Sequence, residues 1–480
     1  MPSPIEFPTS SLPDQYDGHV AEGQGRLLNV FVEQEKEQAI WRRIPGTRYF
    51  ADVGVRHPRG FIEVDGFVYG AYDGVVKRIG SDRSVTTLAG ALVGVDRVTW
   101  AKNNDLAAPP RDVVVVSETG AYIVTPTAVA PYPDPVLPST PTSVCHLDGY
   151  FLFTYGNGRI YASDLNSTAV DALSFTTAES NPDGLYRGVV AGRQLFAMGQ
   201  ASIEVYQNVG ASPFPLSRSA VIPVGLLGTF AVAGGNETDG WDGMPLFVAS
   251  DGTVRQFSGY DPRIVSTRAV ERFIAAQPNP ADLTAYVYTF LGHSIWGIKG
   301  NGATRAERCW EYNTSSGQWH ERQSQGEFTW RGHRTIRAFG QWLVGDAVTT
   351  ELRVIDATAY GEHHDQIPCR IESKVMKNFP ERLAVSRADF LFAQGIGSAD
   401  GLDPIQTDPV VEISWSDNGG GTWSRPLRRT LGRQGEFGWD VRVNRTGMTT
   451  KTGRRWRIDV ADPVPFVFFG ATMDVEPRAS

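Results

Sequence analysis

The stretch VDGFVYGAYDG, residues 64–74, decides the fold, because its form recurs along the chain. A glycine is followed by one or two variable residues, an apolar run, a turn and a second strand-like segment. The form returns in LDGYFLFTYGNG at Gly149, AGRQLFAMGQ at Gly192, DGMPLFVASDG at Gly243, LGHSIWGIKGNG at Gly292 and FGQWLVGD at Gly340. The steps between these glycines are 83, 43, 51, 49 and 48 residues. The first step is about two repeats long. Its midpoint holds RDVVVVSETGAYIV (Arg111 to Val124), a strand–turn–strand unit without the leading glycine. Repeats of roughly 45 residues built from short strands mark a β-propeller, one blade per repeat. Asp73-Gly74, Asn157-Gly158 and Asp251-Gly252 suit tight hairpins, whose central residues need positive φ.

The expected fold is therefore all-β: a six- or seven-bladed β-propeller over residues 60–365, followed by a C-terminal β-sandwich-like domain over 366–480. From about Gln366 the period is lost. IPCRIESKVMKNF, AVSRADFLFAQ, VVEISWSDNGG, WSRPLRR, WDVRVN, RRWRIDV and FVFFGATMDV read as strands with longer connections. Ahead of the repeats, RLLNVFVEQE from Arg26 alternates, and Pro45-Gly46 makes a turn. Residues 1–59 are expected to form an N-terminal arm with a strand that closes the propeller. One helix is expected, RAVERFIAA from Arg268, stopped by Pro278.

The composition is that of a soluble globular chain, with 41% hydrophobic and 20% charged residues, and its 51 Gly and 30 Pro favour turns over helices. Cys145, Cys309 and Cys369 are widely spaced and odd in number, which reads as buried thiols rather than a disulfide framework or zinc site. No basic region followed by an apolar run opens the chain, and no window of about 18 apolar residues occurs. No signal peptide or membrane span is expected, and synthesis in a reducing cytoplasm is.

The net charge of −8 is unevenly spread. Between Ser424 and Ile458 lie Arg425, Arg428, Arg429, Arg433, Arg442, Arg445, Lys451, Arg454, Arg455 and Arg457, opposed within the segment by Glu436 and Asp440. That segment carries +8 and the remainder −16. Such a field suits an acidic neighbouring subunit or a phosphate backbone, and the alternative is a solvated face. Trp423, Trp439 and Trp456, interleaved at strand spacing, read as core or interface anchors.

No catalytic, cofactor or metal set emerges. Ser416-Asp417-Asn418-Gly419-Gly420-Gly421-Thr422-Trp423 resembles the Asp-box hairpin of sialidases, a structural element whose Asp binds turn amides. His320, His333, His363 and His364 lack HxxxH spacing and read as surface residues, the last two on opposite faces of a strand. Asp239 and Asp242 read as solvated loop carboxylates. There is no GxSxG, P-loop or GxGxxG after a strand.

Several stretches resemble the packaged-DNA stabilisation, or tail-hub (nozzle), proteins of short-tailed double-stranded DNA phages. They are Ala178-Glu179-Ser180-Asn181-Pro182-Asp183-Gly184-Leu185, then Ser202-Ile203-Glu204-Val205-Tyr206 with Gly210-Ala211, the early Ile44-Pro45-Gly46-Thr47 after Asn29, and Ser316-Gly317-Gln318-Trp319. The C-terminal SDNGGGTWS…LGRQGEFG…DPVPF pattern looks like one widespread in phage tail proteins. The resemblance implies a non-enzymatic virion protein of the tail, made in the host bacterial cytoplasm. It implies a hexameric ring below the adaptor (head-completion) protein that extends the portal, holding packaged DNA and offering attachment sites for a tailspike or tail fibre and for the tail needle. No cofactor is implied, and genomic DNA is a candidate partner in the ring's channel. The alternatives are a propeller glycosidase or depolymerase, which needs converging carboxylates in a central pocket, and a carbohydrate-binding propeller.

Overall fold

The computed structural model describes residues 2–478 apart from 13–23, 36–37, 105–110, 179–183, 236–239, 242 and 301–307. Among the described residues there are seven four-stranded antiparallel units. Their first strands are Pro58–Val64, Thr99–Lys102, Ser143–Leu147, Leu185–Ala191, Val232–Ala233, Thr284–Phe290 and Gly332–Ala338. These strands touch in sequence around an axis, and the seventh meets the first. Between the fourth and fifth, the Arg187 guanidinium donates to the Val232 carbonyl at 3.4 Å. The architecture is a seven-bladed β-propeller.

The recurring glycine sits in the hairpin between the first and second strands of a blade. In blade 1, Pro58–Val64 pairs with Phe67–Tyr72 across Asp65 and Gly66, at φ 49° and 76°. Both central residues are left-handed, the type I′ turn whose twist matches the strands it joins. A Cβ on Gly66 would meet nothing within 4 Å, so a side chain there costs backbone energy alone. Gly66→Val is therefore expected to destabilise blade 1 by about 1–2 kcal/mol, read as a lowered urea midpoint with an unchanged slope.

Blade 7 takes its fourth strand from the start of the chain. Glu351–Asp356 pairs antiparallel with Gly46–Asp52, from Glu351 opposite Asp52 to Asp356 opposite Gly46. Phe50, Ala51 and Val53 complete a core with Ile336, Leu343 and Leu352. The ring is thus closed by hydrogen bonds between strands some 300 residues apart. The expected helix is present at Arg268–Ala275 and buries Val270, Phe273 and Ile274.

The second domain is a β-sandwich. One sheet runs in the order Val30–Glu35, Gln38–Arg43, Val467–Arg478, Arg382–Phe392, Val441–Met448, with Pro2–Ile5 also paired to Val467–Arg478. The other runs Arg26–Leu28, Cys369–Glu372, Arg455–Val460, Val410–Ser416, Leu427–Thr430. Between them lies a core that includes Trp41, Phe390, Trp456 and Phe468. The segment expected as one N-terminal arm is divided in the structure: strands up to Arg43 build the sandwich, and those after Pro45 serve the propeller. Alternation explains the split. Val30 and Val32 face the sandwich core, while Phe31 between them packs edge-on against Phe290 of blade 6, centroids 5.1 Å apart.

The domains share backbone. Arg26–Leu28 runs parallel to Gln318–Arg322, the last strand of blade 6, so blade 6 and half the sandwich form one nine-stranded sheet. Asn29, buried and at φ 54°, seals the junction. Its amide donates to the carbonyls of Gln323 (2.8 Å) and Pro368 (2.7 Å), and its oxygen accepts from the Gln323 N–H (2.8 Å).

Candidate subunit and nucleic-acid interface

The first strands of blades 1 to 5 converge on a cavity of about 30 Å³ whose lining includes Trp100, Lys102, His146 and Arg187. That is room for about one water. Among the described residues that line it there is no carboxylate, and the Lys102 ammonium is held by Glu63 at 3.3 Å.

The basic segment lies on one flank of the sandwich, where an edge of each sheet comes to the surface. Leu427–Thr430 is the outermost strand of one sheet and Val441–Met448 of the other. They lie side by side, with the Arg429 Nε donating to the Arg442 carbonyl at 2.9 Å. The loop between them carries Phe437 and Trp439, both exposed. Nearby carboxylates neutralise part of the charge. Arg428 pairs with Glu412 (2.8 Å), Arg442 with Asp389 (2.6 Å) and Asp440 (3.1 Å), and Arg433 approaches Asp408 at 3.9 Å. The Asp389 carboxyl is pulled down: burial opposes the shift, and bonds from Arg442 and Arg387 outweigh it.

A family model described as "Bacteriophage P22 Gp10, beta-propeller" matches residues 26–360, which take in all seven blades and the strand that closes the ring. The chain belongs to the phage P22 Gp10 β-propeller family. It is thereby a phage structural protein, of the class that stabilises packaged DNA. Among solved structures, the WD40 β-propeller domain of Doa1 is 12% identical at a TM-score of 0.41, over 65% of this chain and 96% of that one. The computationally designed Ika8 protein is also 12% identical, at a TM-score of 0.38, over 72% of this chain and 99% of that one. No curated protein matches the chain.

Within this P22 Gp10 family fold the ten basic residues separate. Arg454 and Arg455 are 0% and 1% exposed and leave the set of residues that could meet a partner. They sit in or beside an inner strand of the sandwich, where a surface charge count does not apply. Arg454 makes a two-pronged pair with Asp417 (2.8 and 3.0 Å), and Arg455 donates to the Gly419 carbonyl (3.2 Å). Arg457 is mostly covered, pairing with Asp459 (3.0 Å) and lying over Trp423 at 4.3 Å. Arg425, Arg428, Arg433, Arg445 and Lys451 are exposed, and Arg429 and Arg442 half so.

The Asp-box-like stretch is a hairpin loop with its roles exchanged. Asn418, not Asp417, binds the turn, accepting from the Thr422 N–H at 2.8 Å, while Ser416 accepts from the Gly420 N–H at 2.9 Å. Asp417 is free to hold Arg454 because the serine directly precedes it.

The histidines depart from expectation. His320 is buried against Glu311 at 2.9 Å. His333 bonds the Pro58 carbonyl (3.0 Å), and burial together with Lys299, Arg334 and Arg97 holds it well below the ordinary imidazole range. His363 and His364 occupy a turn rather than a strand, with His363 at φ 53° and the rings 4.1 Å apart. Among the described residues no group of three His, Cys, Asp or Glu is placed to hold a metal. All three cysteines are buried thiols, none in a disulfide. Asp239, Asp242 and the Glu179-to-Asp183 stretch lie outside the described residues.

The other motifs of the resemblance prove structural. Glu204 is buried in the third strand of blade 4 and accepts from the Tyr206 hydroxyl at 2.6 Å. Trp319 is buried in blade 6 and donates to the Val265 carbonyl at 2.7 Å. Sequence reading missed the buried ionic cluster beside it. Glu311 accepts from the hydroxyls of Tyr286 (2.7 Å) and Tyr288 (3.0 Å) and pairs with Arg322 (3.3 Å). Glu321 binds Arg26 (2.8 Å) and Arg308 (2.7 Å), and Glu362 binds Arg322 (3.3 Å). The available signal was charge inside two Trp-bearing strands, CWEYN and QWHER.

Proposed function

We propose that this chain is the tail hub, or nozzle, of a short-tailed phage: a hexameric ring below the portal–adaptor that retains packaged DNA. It offers the propeller loops as attachment surfaces for tailspikes or fibres, and the ring as a seat for the tail needle. The observation that carries the reading is the family match over residues 26–360. The fold is consistent with it. A nine-stranded sheet running from blade 6 into the sandwich couples two domains into one block, as a subunit bearing internal pressure requires. In this reading the chain acts in the virion tail and is made in the host bacterial cytoplasm.

The test is the mass of the purified chain by mass photometry, alone and with the phage's portal–adaptor assembly. A six-copy ring on that assembly is expected. A chain that never joins it overturns the reading.

A further inference from the structure

A heterologous ring needs two different surfaces on one subunit that fit each other, and the structure offers a matched pair. The first is the basic flank of the sandwich. Arg425, Arg429 and Arg445 have no carboxylate within 4 Å among the described residues. Between the two edge strands stand Phe437, 75% exposed, and Trp439, 46% exposed.

The second surface lies in the propeller. Residues 112–178, spanning most of blade 2 and all of blade 3, contain six carboxylates (Asp112, Glu118, Asp134, Asp148, Asp164, Asp171) and one cation, Arg159, for a net −5. Asp164 and Asp171 flank the loop between the last two strands of blade 3, Arg159–Ala162 and Phe175–Thr177. Both are exposed, and the same loop exposes Leu165 (58%) and Leu173 (66%). The loop is braced, not loose. Asp134 accepts from the Val170 N–H at 2.7 Å, and the Tyr132 hydroxyl donates to the Thr168 carbonyl at 2.7 Å.

We propose that the basic, aromatic flank of one copy docks on the acidic, leucine-bearing face of blade 3 of the next copy. This rests on the ring reading above and names its two faces. Arginine and aromatic side chains are the residues that most often anchor protein interfaces. A phosphate backbone would use the cations but leave Phe437 and Trp439 in water. Each surface lies apart from the other on the subunit, one in the sandwich and one in blade 3, so the contact is heterologous and passes from copy to copy, the kind that forms a ring when its rotation closes.

Charge exchange tests it. Arg425→Glu with Arg445→Glu, and separately Asp164→Lys with Asp171→Lys, are expected to weaken ring assembly at least about tenfold by like-charge contact. The fourfold variant restores opposite signs and should recover assembly. All four side chains are exposed and Asp171 gives up one bond, from the Leu173 N–H at 2.8 Å, so melting curves should stay close to the parent's. Assembly is read by mass photometry on the portal–adaptor, with binding to a short DNA duplex measured in parallel. If the parent forms rings and neither pair affects them, the two faces are wrong and the ring stands. If the arginine pair leaves rings intact but lowers duplex binding, the flank is a nucleic-acid surface and the proposal fails. If the parent never forms rings, the hub reading falls, and this inference with it.

Discussion

Glu311→Ala is expected to cost about 3–5 kcal/mol, the usual penalty for stranding a buried partner of an ion pair. Glu311, Arg322 and His320 are all essentially inaccessible to water. Removing the carboxylate takes an acceptor from two tyrosine hydroxyls and leaves Arg322 with Glu362, the Tyr288 hydroxyl (2.7 Å), the Pro45 carbonyl (3.1 Å) and the face of Trp330 at 3.8 Å. Pro45 leads into the strand that closes the ring, and Glu362 follows blade 7. The loss should therefore appear in ring closure as well as in blade 6. Urea unfolding followed by tryptophan fluorescence measures it; a loss under about 1 kcal/mol would mean the cluster is not a stabilising hub. Acid should act on the same groups. Burial alone would raise the Glu311 and Glu321 carboxyls, but Arg322 and His320 in one case, and Arg26 and Arg308 in the other, hold both down at about 2 against an ordinary 4.5. A depressed folded value contributes stability that is fully present above pH 4.5 and is lost as pH falls towards 2. Glu311→Gln should flatten part of that slope while costing less at neutral pH than the alanine.

What was legible in the sequence follows from which interactions are local. A type I′ hairpin needs two adjacent left-handed residues, so Asp65-Gly66, Asp148-Gly149 and Leu291-Gly292 print a period on the chain. Blade 2 lacks the mark because its first two strands, Thr99–Lys102 and Val113–Ser117, are separated by ten residues with no glycine among them, not by a two-residue turn. The blade count stayed open between six and seven for a related reason. The last blade is completed by Gly46–Asp52, and nothing near residue 350 announces a partner from the other end. The candidate interface was half legible. Counting charge along the chain finds the basic segment, but Glu412, Asp389 and Asp417, which neutralise part of it, arrive from elsewhere in the sandwich, and Asp459 stands just past the segment's end. Arg425 and Arg454 look alike in sequence; only cross-strand pairing exposes one and buries the other. The His363–His364 pair was misplaced because a two-residue hairpin with a non-glycine at positive φ carries no sequence signal as strong as Asn-Gly.

Deleting residues 1–52 is expected to abolish folding of both domains. The sandwich would lose four strands and, with them, Phe7, Leu27, Val30, Val32 and Trp41 from its core. The propeller would lose the fourth strand of blade 7 and the packing of Phe50 and Ala51. Full burial of one such apolar side chain is worth about 1.5–3 kcal/mol, so the sandwich set alone reaches the whole stability of an ordinary domain, about 5–15 kcal/mol. The truncated chain should be insoluble, or lack any cooperative transition in heating followed by circular dichroism. A soluble chain melting like the parent would overturn the conclusion that one N-terminal segment completes both cores. The same wiring sets an order of folding. Blades 1 to 6 draw all four of their strands from consecutive sequence, but blade 7 waits for residues near 350 to meet those near 50. The sandwich waits longer, because Pro2–Ile5 pairs with Val467–Arg478 at the far end of the chain. Contacts of that separation form late and slowly. A phage subunit built this way completes the sandwich that carries its candidate interface only once the strand Val467–Arg478 has been made.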